Sequence, residues 1–422
     1  MKVLAINCGS STLKFQLIDM WGEAPPSGQE QKLARGIVDR IGGWGAIEFT
    51  AENGESIQEA ATVADHGEAT RRVLGWLDSS GLLEPDGLGA IGHRVVHGGD
   101  RFVEPTVIDD EVIDAIEAVS DLAPLHNEPS LQGIRAARAA LGTGTPMVAI
   151  FDTAFHHTMP EQASRYAIPP ELAAKHNIQR YGFHGLAHRY MTERYAAIAS
   201  TPIAQVRLVT LQLGNGCSAT AVQSGRSVDT SMGFTPLEGL MMGTRSGDMD
   251  PSLAGFLARR EGVDVEEVEG WLNTRSGLLG VSGRSQDMRE LLEAERLGDT
   301  SAALAVEMFC YRVRKYVGAY MAVLGGADAV VFGGGIGENA PIVRARICSG
   351  MEWCGLTLDS DRNATAIGVE ERISVDDAGV HAYVIPVDEA MVIARDTVSC
   401  LRHHRHGLMT PPSKRREGNE KI

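Results

Sequence analysis

The chain has 422 residues, 43% of them apolar and 5% aromatic, which is enough for about two domains with buried cores. Lys and Arg number 39 against 55 Asp and Glu, which gives a formal net charge of −16 at pH 7. So acidic a chain lacks the positive surface that binds nucleic acid or an anionic membrane, and the sequence predicts neither partner.

The N-terminal segment predicts two strands joined by a turn of small and polar residues. Residues 3–6 are apolar, and residues 13–18 alternate as a half-buried strand does. The turn between them, residues 7–12, reads Asn-Cys-Gly-Ser-Ser-Thr, and Lys14 follows it closely. Downstream, the sequence predicts a hairpin around Asn53-Gly54, amphipathic helices over residues 112–119 and 132–141, and a buried strand over residues 147–151.

A second strand–turn–strand pattern begins after residue 200 and echoes the first. Residues 208–213 lead into the turn 214–216, Gly-Asn-Gly, and residues 218–222 form the next strand. A helix over about residues 301–324 precedes a strand at 329–332 and a third glycine-rich turn at 333–339, after which Pro341 suits a first helical turn. The alternation of strands and helices predicts an α/β fold, and the echo is a sign of internal duplication.

The three glycine-rich turns are candidate phosphate sites. Such a turn aims backbone N–H groups at one point and leaves room for a tetrahedral anion. Hydroxyls and a lysine in the first turn favour a polyphosphate, although the chain has no Walker A sequence. Residues 335–340 also fit the G-x-G-x-x-A dinucleotide pattern, with Asp359 at a suitable distance, so a nicotinamide enzyme stays as an alternative. A Rossmann domain usually carries this pattern on an early strand, and here it occurs late in the chain, so we rank the nicotinamide enzyme second.

The cysteines and the N-terminus predict a cytoplasmic protein. The six cysteines are scattered, without a C-x-x-C pair or a framework spacing, which is typical of reduced thiols. The apolar run before Asn7 is too short for a signal peptide, and no apolar stretch approaches the ~18 residues of a membrane span.

Several blocks of the sequence together resemble the acetate kinase family, in the order expected and across nearly the whole chain. They are residues 3–14, 92–99, 124–127, 151–156, 181–185, 213–216, 242–248, 285–289, 334–339 and 394–397. The resemblance implies the duplicated actin-like, sugar-kinase and Hsp70 fold, with two lobes and nucleotide bound in the cleft between them. It implies one lobe of residues 1–153 with 391–422, a second lobe of residues 154–390, and a homodimer formed through the second lobe.

Arg94 and Arg245 are the strongest candidate site residues. Each lies in a block of glycine and small residues, where other long surface side chains are absent. Acyl phosphate synthesis brings a carboxylate toward a phosphate, and a guanidinium cancels the repulsion while matching planar oxygens. The resemblance implies that Arg94 binds the substrate carboxylate and that Arg245 binds the transferring phosphoryl group.

His184 and Asp152 are further catalytic candidates. Gly182 and Gly185 flank His184 and indicate close approach to a ligand, although a satisfied core histidine is the alternative. The resemblance implies that His184 hydrogen-bonds the phosphoryl oxygens. Asp152 ends a buried strand, where α/β sites gather, but acetate is already ionised at pH 7 and needs no base. We therefore expect Asp152 to orient arginine and to contact the water around Mg²⁺.

The resemblance also implies sites for metal, nucleotide and acyl group. Asn7 and Glu389 would hold Mg²⁺, or Mn²⁺, through its waters. Contacts to ATP or ADP would come from Ser10, Thr12, Lys14, Gln212, Leu213, Gly214, Asn215, Gly216, Asp287, Met288, Arg289, Gly335, Ile336, Gly337, Glu338 and Asn339. The acyl side would be bound by Arg94, Val96, Leu125, His126, Phe183 and Pro236.

The prediction is an enzyme that reversibly transfers the γ-phosphoryl group of ATP to acetate, directly and in line. Two departures from the family pattern leave the phosphoryl donor open: Gln212 stands where histidine is usual, and residues 387–390 read Val-Asp-Glu-Ala instead of Thr-Asn-Glu-Glu. The alternatives are propionate or butyrate as acceptor, pyrophosphate as donor, and a nucleotide-switched actin-like binding protein. The last has no use for Arg94, Arg245 and a compact acyl pocket.

Overall fold

The computed structural model describes residues 1–20, 30–83, 87–120 and 124–405; of Pro124, Leu125, His126 and Arg405 it describes the backbone alone. The strands, numbered in chain order, are β1 (Lys2–Cys8), β2 (Thr12–Asp19), β3 (Gln31–Asp39), β4 (Gly43–Ala51), β5 (Ser56–Val63), β6 (Ala90–Val95), β7 (Thr106–Val107), β8 (Met147–Phe151), β9 (Arg207–Leu213), β10 (Cys217–Gln223), β11 (Arg226–Thr230), β12 (Ala329–Gly333), β13 (Glu371–Arg372) and β14 (His381–Val384).

The α-helices are α1 (His66–Ser79), α2 (Asp110–Ala118), α3 (Pro124–Leu141), α4 (Glu161–Ser164), α5 (Pro170–Lys175), α6 (Gly185–Ile198), α7 (Ser252–Glu261), α8 (Val265–Thr274), α9 (Gly277–Ser282), α10 (Met288–Arg296), α11 (Thr300–Leu324), α12 (Gly334–Asn339), α13 (Pro341–Cys348), α14 (Ser360–Thr365) and α15 (Glu389–Arg405). Short 3-10 helices cover Ala154–Thr158, Ile203–Gln205 and Glu352–Cys354. Within the ranges described, no helix combines the length and the apolar character that crossing a membrane requires.

The chain divides into two compact units. The first contains Met1–Ala154 and the described residues from Glu389 onward, and the second is Phe155–Asp388. The division expected from the sequence, residues 1–153 with 391–422 against 154–390, lies one residue away at the first boundary and two residues away at the second.

The first unit is built on a sheet with the strand order β5-β4-β3-β2-β1-β6-β8-β7. The strands β1 to β5 form an antiparallel meander, whereas β1, β6 and β8 run parallel. Helices cover both faces: Ile91 of β6 packs into the core that contains the α1 side chains, and the next residue, Gly92, faces α15. A Cβ on Gly92 would lie 2.5 Å from Ile393 of α15, so glycine allows this close approach.

The second unit repeats the central part of the first. Its sheet has the order β11-β10-β9-β12-β14-β13, in which β9, β10 and β11 are antiparallel neighbours and β9, β12 and β14 are parallel. The strands β3-β2-β1-β6-β8 and β11-β10-β9-β12-β14 therefore have the same order and the same directions. The predicted α/β class is confirmed, and the echo in the sequence corresponds to this repeated topology.

Each unit has its own apolar core. In the first unit Phe15, Phe49 and Trp76 pack edge to face or tilted, with ring centroids 5.1–6.1 Å apart, between the meander and α1. In the second unit β12 is buried along its whole length, and Val331 packs in a cluster with Met191 of α6. These cores hold β1 and β9 centrally, so their carboxyl ends are fixed points at which side chains can be positioned.

Most predicted elements are present, with two differences. The helix predicted over 132–141 begins at Pro124, because α3 continues through Pro129. The third glycine-rich segment was predicted as a turn, but Gly334–Asn339 forms the short helix α12. The side chain of Glu338 stabilises this helix by accepting a hydrogen bond from the N–H of Gly334 at 2.8 Å.

Candidate active site

Three adjacent parallel strands of the first unit bring predicted site residues together. Asn7 lies near the end of β1 and pairs in register with Arg94 of β6. Asp152 follows directly after β8, and its N–H donates to the carbonyl of Val95 at 2.9 Å. Because the strands are parallel, their carboxyl ends meet at one edge of the sheet, which is where α/β proteins position ligand-binding groups.

The side chains at this edge form one hydrogen-bonded group with Arg94 at its centre. Arg94 donates from Nη2 to Asp152 Oδ2 at 2.6 Å and from Nη1 to Asn7 Oδ1 at 3.0 Å. Asn7 in turn donates from Nδ2 to Glu389 Oε2 at 2.8 Å. These two hydrogen bonds fix the amide orientation of Asn7. A flipped amide would place its NH2 group against the Arg94 donor and its oxygen against the Glu389 carboxylate.

Burial and charge act in opposite directions on this group. Burial alone would lower the pKa of Arg94, but Asp152 and Glu389 raise it above its usual value, so the guanidinium stays charged. Burial raises the pKa of Glu389, and Asp152 adds to this, while Arg94 and Lys14 oppose it. The Nε–H of Arg94 is buried and meets no acceptor among the described residues. Because buried donors are normally hydrogen-bonded, this N–H favours the binding of a ligand that offers an acceptor oxygen.

The residues expected to hold Mg²⁺ fit an ion bound through water. Carboxylate and amide oxygens are the donors that Mg²⁺ prefers. The raised pKa of Glu389 indicates a charge that its neighbours only partly compensate, and a divalent cation would stabilise it. Asn7 Oδ1 already accepts from Arg94, which disfavours its use as a direct ligand. In the described part of the chain, no three or more His, Cys, Asp and Glu side chains cluster closely enough to ligate a metal directly.

The first glycine-rich turn lies beside this group. It is closed by a 2.7 Å hydrogen bond from the N–H of Gly9 to the carbonyl of Thr12. Ser10 at its tip is exposed, and Lys14 on β2 is exposed and pairs across the ladder with Asn7. Paired residues share a face of the sheet, so Lys14 lies on the side where Asn7 contacts Arg94.

The predicted acyl-binding residues are distributed over both units. Val96 follows β6 and is buried in the first unit. Phe183 is buried and Pro236 is half-buried in the second unit. Leu125 and His126 lie on α3, but their side chains are outside the described residues.

In the second unit His184 is held in an unusual backbone conformation beside the second glycine turn. It precedes α6 with φ +58° and ψ 28°, in the left-handed region that costs free energy for any residue with a Cβ. Its ring lies 3.3 Å from the point that a Cβ on Gly216 would occupy. Its Nδ1 hydrogen-bonds to Ser218 Oγ at 2.9 Å. The flanking Gly182 adopts φ +74° and abuts His156.

Arg245 reaches the same glycine turn from a loop that is fixed through its backbone. Nη1 of Arg245 lies 3.8 Å from the position of a Cβ on Gly216 and donates to the carbonyl of Pro236 at 3.3 Å. A 3.1 Å hydrogen bond from the N–H of Met242 to the carbonyl of Arg245 closes the loop. A second, from the N–H of Gly243 to the carbonyl of Asn215 at 2.9 Å, joins the loop to the glycine turn. Burial lowers the pKa of Arg245, in contrast to Arg94, whose carboxylate neighbours raise its pKa.

The remaining candidates of the second and third glycine segments lie at the carboxyl ends of β9 and β12. Gln212 pairs with Gly333, so the two segments are neighbours. The side-chain oxygen of Gln212 is buried and has no hydrogen-bond partner within the ranges described. Leu213 is buried, Gly214 is half-buried, and Asn215 is exposed at the tip of the turn. The side-chain amide of Gln212 can donate to phosphate from Nε2 but carries no charge.

Several residues predicted to contact the nucleotide form hydrogen bonds or ion pairs within the protein. Asp287 caps α10 and pairs with Arg289, whose side chain is exposed, while Met288 between them is buried in the core. In α12 the carboxylate of Glu338 accepts from two backbone N–H groups, those of Gly334 and Val387, at 2.8 and 3.0 Å. Gly335 and Asn339 are exposed, Ile336 is half-buried, and Gly337 is buried. Glu338 therefore shapes the segment from within and leaves Gly335 and Asn339 exposed.

Sequence reasoning missed Arg344, which holds α12 in place. Arg344 is fully buried, and its five N–H groups donate to Asn363 Oδ1 and to the carbonyls of Gly337, Glu338, Asn363 and Ala366, at 2.7–3.1 Å. Burial lowers its pKa to about 10. A lone arginine on a helix gives no sign of this role in the sequence. Ser218, His188 and Thr210 were missed too, because they resemble ordinary strand hydroxyls and a core histidine.

Comparison with known proteins gives full-length matches. A sequence profile described as the acetokinase family matches residues 2–395. An acetate kinase from Solibacter usitatus is 51% identical over 412 residues, which cover 96% of this chain and 100% of that protein. The crystal structure of Porphyromonas gingivalis acetate kinase has a TM-score of 0.86 at 42% identity, covering 95% of this chain and 99% of that one. A propionate kinase from Francisella tularensis also has a TM-score of 0.86, at 40% identity, covering 94% and 99%.

We expect Arg344→Met to destabilise the protein by about 3 kcal/mol or more, because it leaves several buried carbonyls without a donor. Urea-induced unfolding measures this loss. Arg314→Met is the matched control: Arg314 also donates to backbone carbonyls, those of Arg346 and Ile347, but it is only partly buried and its hydrogen bonds go to α13 and not to α12. Equal losses in the two variants would contradict a special role for Arg344.

Proposed function

The chain belongs to the acetokinase family, and from that premise we propose that it transfers the γ-phosphoryl group of ATP reversibly to acetate, giving ADP and acetyl phosphate. Its family makes it a phosphotransferase with a carboxyl group as acceptor. The single observation that carries the assignment of residues is the geometry of Arg94, a partly buried guanidinium fixed by Asp152 and Asn7, with a buried and unsatisfied Nε–H.

Arg94 binds the acceptor carboxylate in this proposal. Two of its nitrogens are already oriented by Asp152 and Asn7, so little side-chain entropy is lost when substrate binds. The remaining N–H groups present the fork that matches two carboxylate oxygens. Val96, two residues along the chain and buried, would contribute an apolar wall beside that fork.

Arg245 and His184 bind the transferring phosphoryl group. Both border Gly216, whose lack of a side chain leaves space for phosphate oxygens beside the turn. The strained backbone of His184 and the backbone-fixed loop of Arg245 hold their donors in place before substrate arrives. Donors held in this way stabilise the charge of a metaphosphate-like transition state without reorganising during transfer.

Asp152 acts by orienting Arg94, and no base is assigned to it. Acetate is ionised at neutral pH, so its oxygen attacks phosphorus without losing a proton. The transfer breaks the bond between the γ-phosphorus and the bridging oxygen of ADP and forms the bond from phosphorus to the acetate oxygen. Catalysis then depends on positioning and on cancelling the repulsion between two anions.

The nucleotide and Mg²⁺ are assigned to the residues nearest the glycine turns. Asn7 and Glu389 would hold Mg²⁺ through its waters, and the ion would neutralise charge on the ATP phosphates. Lys14 and the hydroxyls of Ser10 and Thr12 would donate hydrogen bonds to phosphate oxygens. The segments Gly214–Gly216 and Gly335–Asn339, with Asp287–Arg289, are assigned to ADP.

We also propose a cytoplasmic homodimer. The six cysteines are free, which suits a reducing compartment. Exposed apolar side chains on two helices of the second unit, Phe256 of α7 and Leu304 and Tyr311 of α11, support association through that unit. Sedimentation equilibrium tests the oligomeric state, and a monomer at micromolar concentration would contradict it.

We expect Arg94→Ala and Arg245→Ala each to reduce kcat by about 10²–10³-fold, the usual loss when a fixed donor to the transition state is removed. Arg94→Lys should lose nearly as much, because lysine keeps the charge but not the fork. Acetyl phosphate is trapped with hydroxylamine and measured as the hydroxamate.

The controls for this experiment are Arg72→Ala and Arg194→Ala, which remove arginines that pair with surface carboxylates in the first and second units. Both should turn over at the wild-type rate. Wild-type turnover in Arg94→Ala or Arg245→Ala would contradict the assignment. Absence of hydroxamate with the wild-type protein, ATP, Mg²⁺ and acetate would favour a nucleotide-switched binding protein.

Propionate is the second candidate acceptor, because a propionate kinase structure and an acetate kinase structure match the chain with the same TM-score. We expect kcat/KM to fall from acetate to propionate to butyrate, by about 10-fold or more per methylene. Val96→Ala should reduce the acetate-to-propionate ratio, whereas Val95→Ala, which truncates the neighbouring core residue, should leave it unchanged. A wild-type preference for butyrate would contradict this order.

A further inference from the structure

A chain of buried hydrogen bonds leads to His184 from the interior of the second unit. Thr210 Oγ1 lies 2.8 Å from His188 Nδ1, His188 Nε2 lies 2.7 Å from Ser218 Oγ, and Ser218 Oγ lies 2.9 Å from His184 Nδ1. We call Thr210, His188, Ser218 and His184 the imidazole–hydroxyl chain. Thr210, His188 and Ser218 are fully buried, so water cannot substitute for any of these hydrogen bonds.

The fold brings these four residues together from three elements. His184 and His188 are four residues apart at the start of α6 and so lie on one side of the helix. Thr210 is two residues from Gln212 on β9, and Ser218 pairs directly with Gln212 on β10. Thr210 and Ser218 therefore face the same side of the sheet, the side on which α6 packs.

Proton counting restricts the chain to two arrangements. Burial, together with neighbouring His156 and His184, lowers the pKa of His188 well below its usual value, so His188 is neutral with a single ring N–H. If His188 accepts from Thr210, it must donate to Ser218, whose own hydroxyl then donates to Nδ1 of His184. If His188 donates to Thr210, every hydrogen bond along the chain reverses, and the proton of neutral His184 lies on Nδ1.

The group that the His184 ring faces selects between the two arrangements. The 2.8 Å contact between Thr210 and His188 is made in both, and the reversed one adds only a 3.4 Å contact from Thr210 to the carbonyl of Thr220, near the outer limit for a hydrogen bond. Nε2 of His184 lies 3.3 Å from the point that a Cβ on Gly216 would occupy, where the proposed function places phosphoryl oxygens, which can only accept. A neutral ring that donates from Nε2 must accept at Nδ1 from Ser218, which is the first arrangement, with Thr210 as the donor to His188.

We propose that Thr210, His188 and Ser218 are positioning residues that keep neutral His184 in the tautomer with its proton on Nε2. This inference rests on the proposed function, in which His184 contacts the transferring phosphoryl group. In that tautomer His184 donates a hydrogen bond from Nε2 to a phosphoryl oxygen while uncharged. The described contacts place two titratable groups near the His184 ring, His188 through Ser218 and Arg245 across Gly216, and His156 lies next to His188.

The test compares Thr210→Val with Thr210→Ser, which keeps the hydroxyl, and with Thr220→Val. Thr220 lies on the same strand as Ser218, and its hydroxyl bonds to that of Thr230, so this control removes a buried hydroxyl outside the chain. Proteins labelled with 15N at histidine are examined by NMR at several pH values, and the ring nitrogen shifts report the tautomer of His184 directly. The steady-state pH profile of acetate phosphorylation is measured for the same proteins.

We expect His184 to carry its proton on Nε2 in the wild-type, Thr210→Ser and Thr220→Val proteins, and to become a mixture of tautomers in Thr210→Val. The kcat of Thr210→Val should fall about fivefold to tenfold, the value of one hydrogen bond, with little change in KM for ATP or acetate. The loss in kcat should appear across the pH range measured, because in the tautomer mixture part of the protein carries no proton on Nε2 of His184.

Two results would overturn the proposal: a wild-type His184 with its proton on Nδ1, or an unchanged tautomer in Thr210→Val. The NMR measurement needs no turnover, so it separates this inference from the proposed function. If the wild-type protein formed no acetyl phosphate, the proposed function would fail, whereas the expected NMR result would still support the tautomer assignment. Ser218→Ala, which breaks the chain next to His184, repeats the test if Thr210→Val does not fold.

Discussion

The ion pair between Arg94 and Asp152 is the interaction on which the rest of the first unit's chemistry depends. Asp152 is completely buried, and a buried charge is costly unless a partner compensates it. The parallel register of β1, β6 and β8 supplies that partner at 2.6 Å and adds Asn7 as a bridge to Glu389. A sheet that did not end its strands together could not hold two carboxylates and a guanidinium in this arrangement.

The two units have the same strand order but carry different chemistry at equivalent places. The edge of the first unit holds three charged groups, Arg94, Asp152 and Glu389, in which the guanidinium partly compensates the two carboxylates. The corresponding end of β9 in the second unit is lined by hydroxyls, by the neutral imidazole of His188 and by Arg245, and burial lowers the pKa of Arg245. This difference fits an acceptor carboxylate at one end and a phosphoryl group at the other.

The sequence was sufficient for the α/β class and singled out long polar side chains in glycine-rich blocks, such as Arg94 on β6 and His184 before α6. Local pattern identifies these residues because small neighbours are unusual beside long polar side chains. It could not identify Ser218 or Thr210, since a hydroxyl on a strand has no local feature that reveals a histidine packed above it. Arg344 was missed for a similar reason: its acceptors are carbonyls up to 22 residues away, and only the packing of α13 against α14 brings them within reach.

A double-mutant cycle on kcat with Arg94→Lys and Asp152→Asn tests most directly whether Asp152 works through Arg94. If Asp152 only orients the guanidinium, each single variant should lose about 10²-fold and the double variant at most a few-fold more, because residues that act as a unit are not additive. If Asp152 had its own role as a base, the two losses would multiply to about 10⁴-fold in the double variant. That multiplication would contradict a purely orienting role for Asp152 and, with it, a transfer that needs no base.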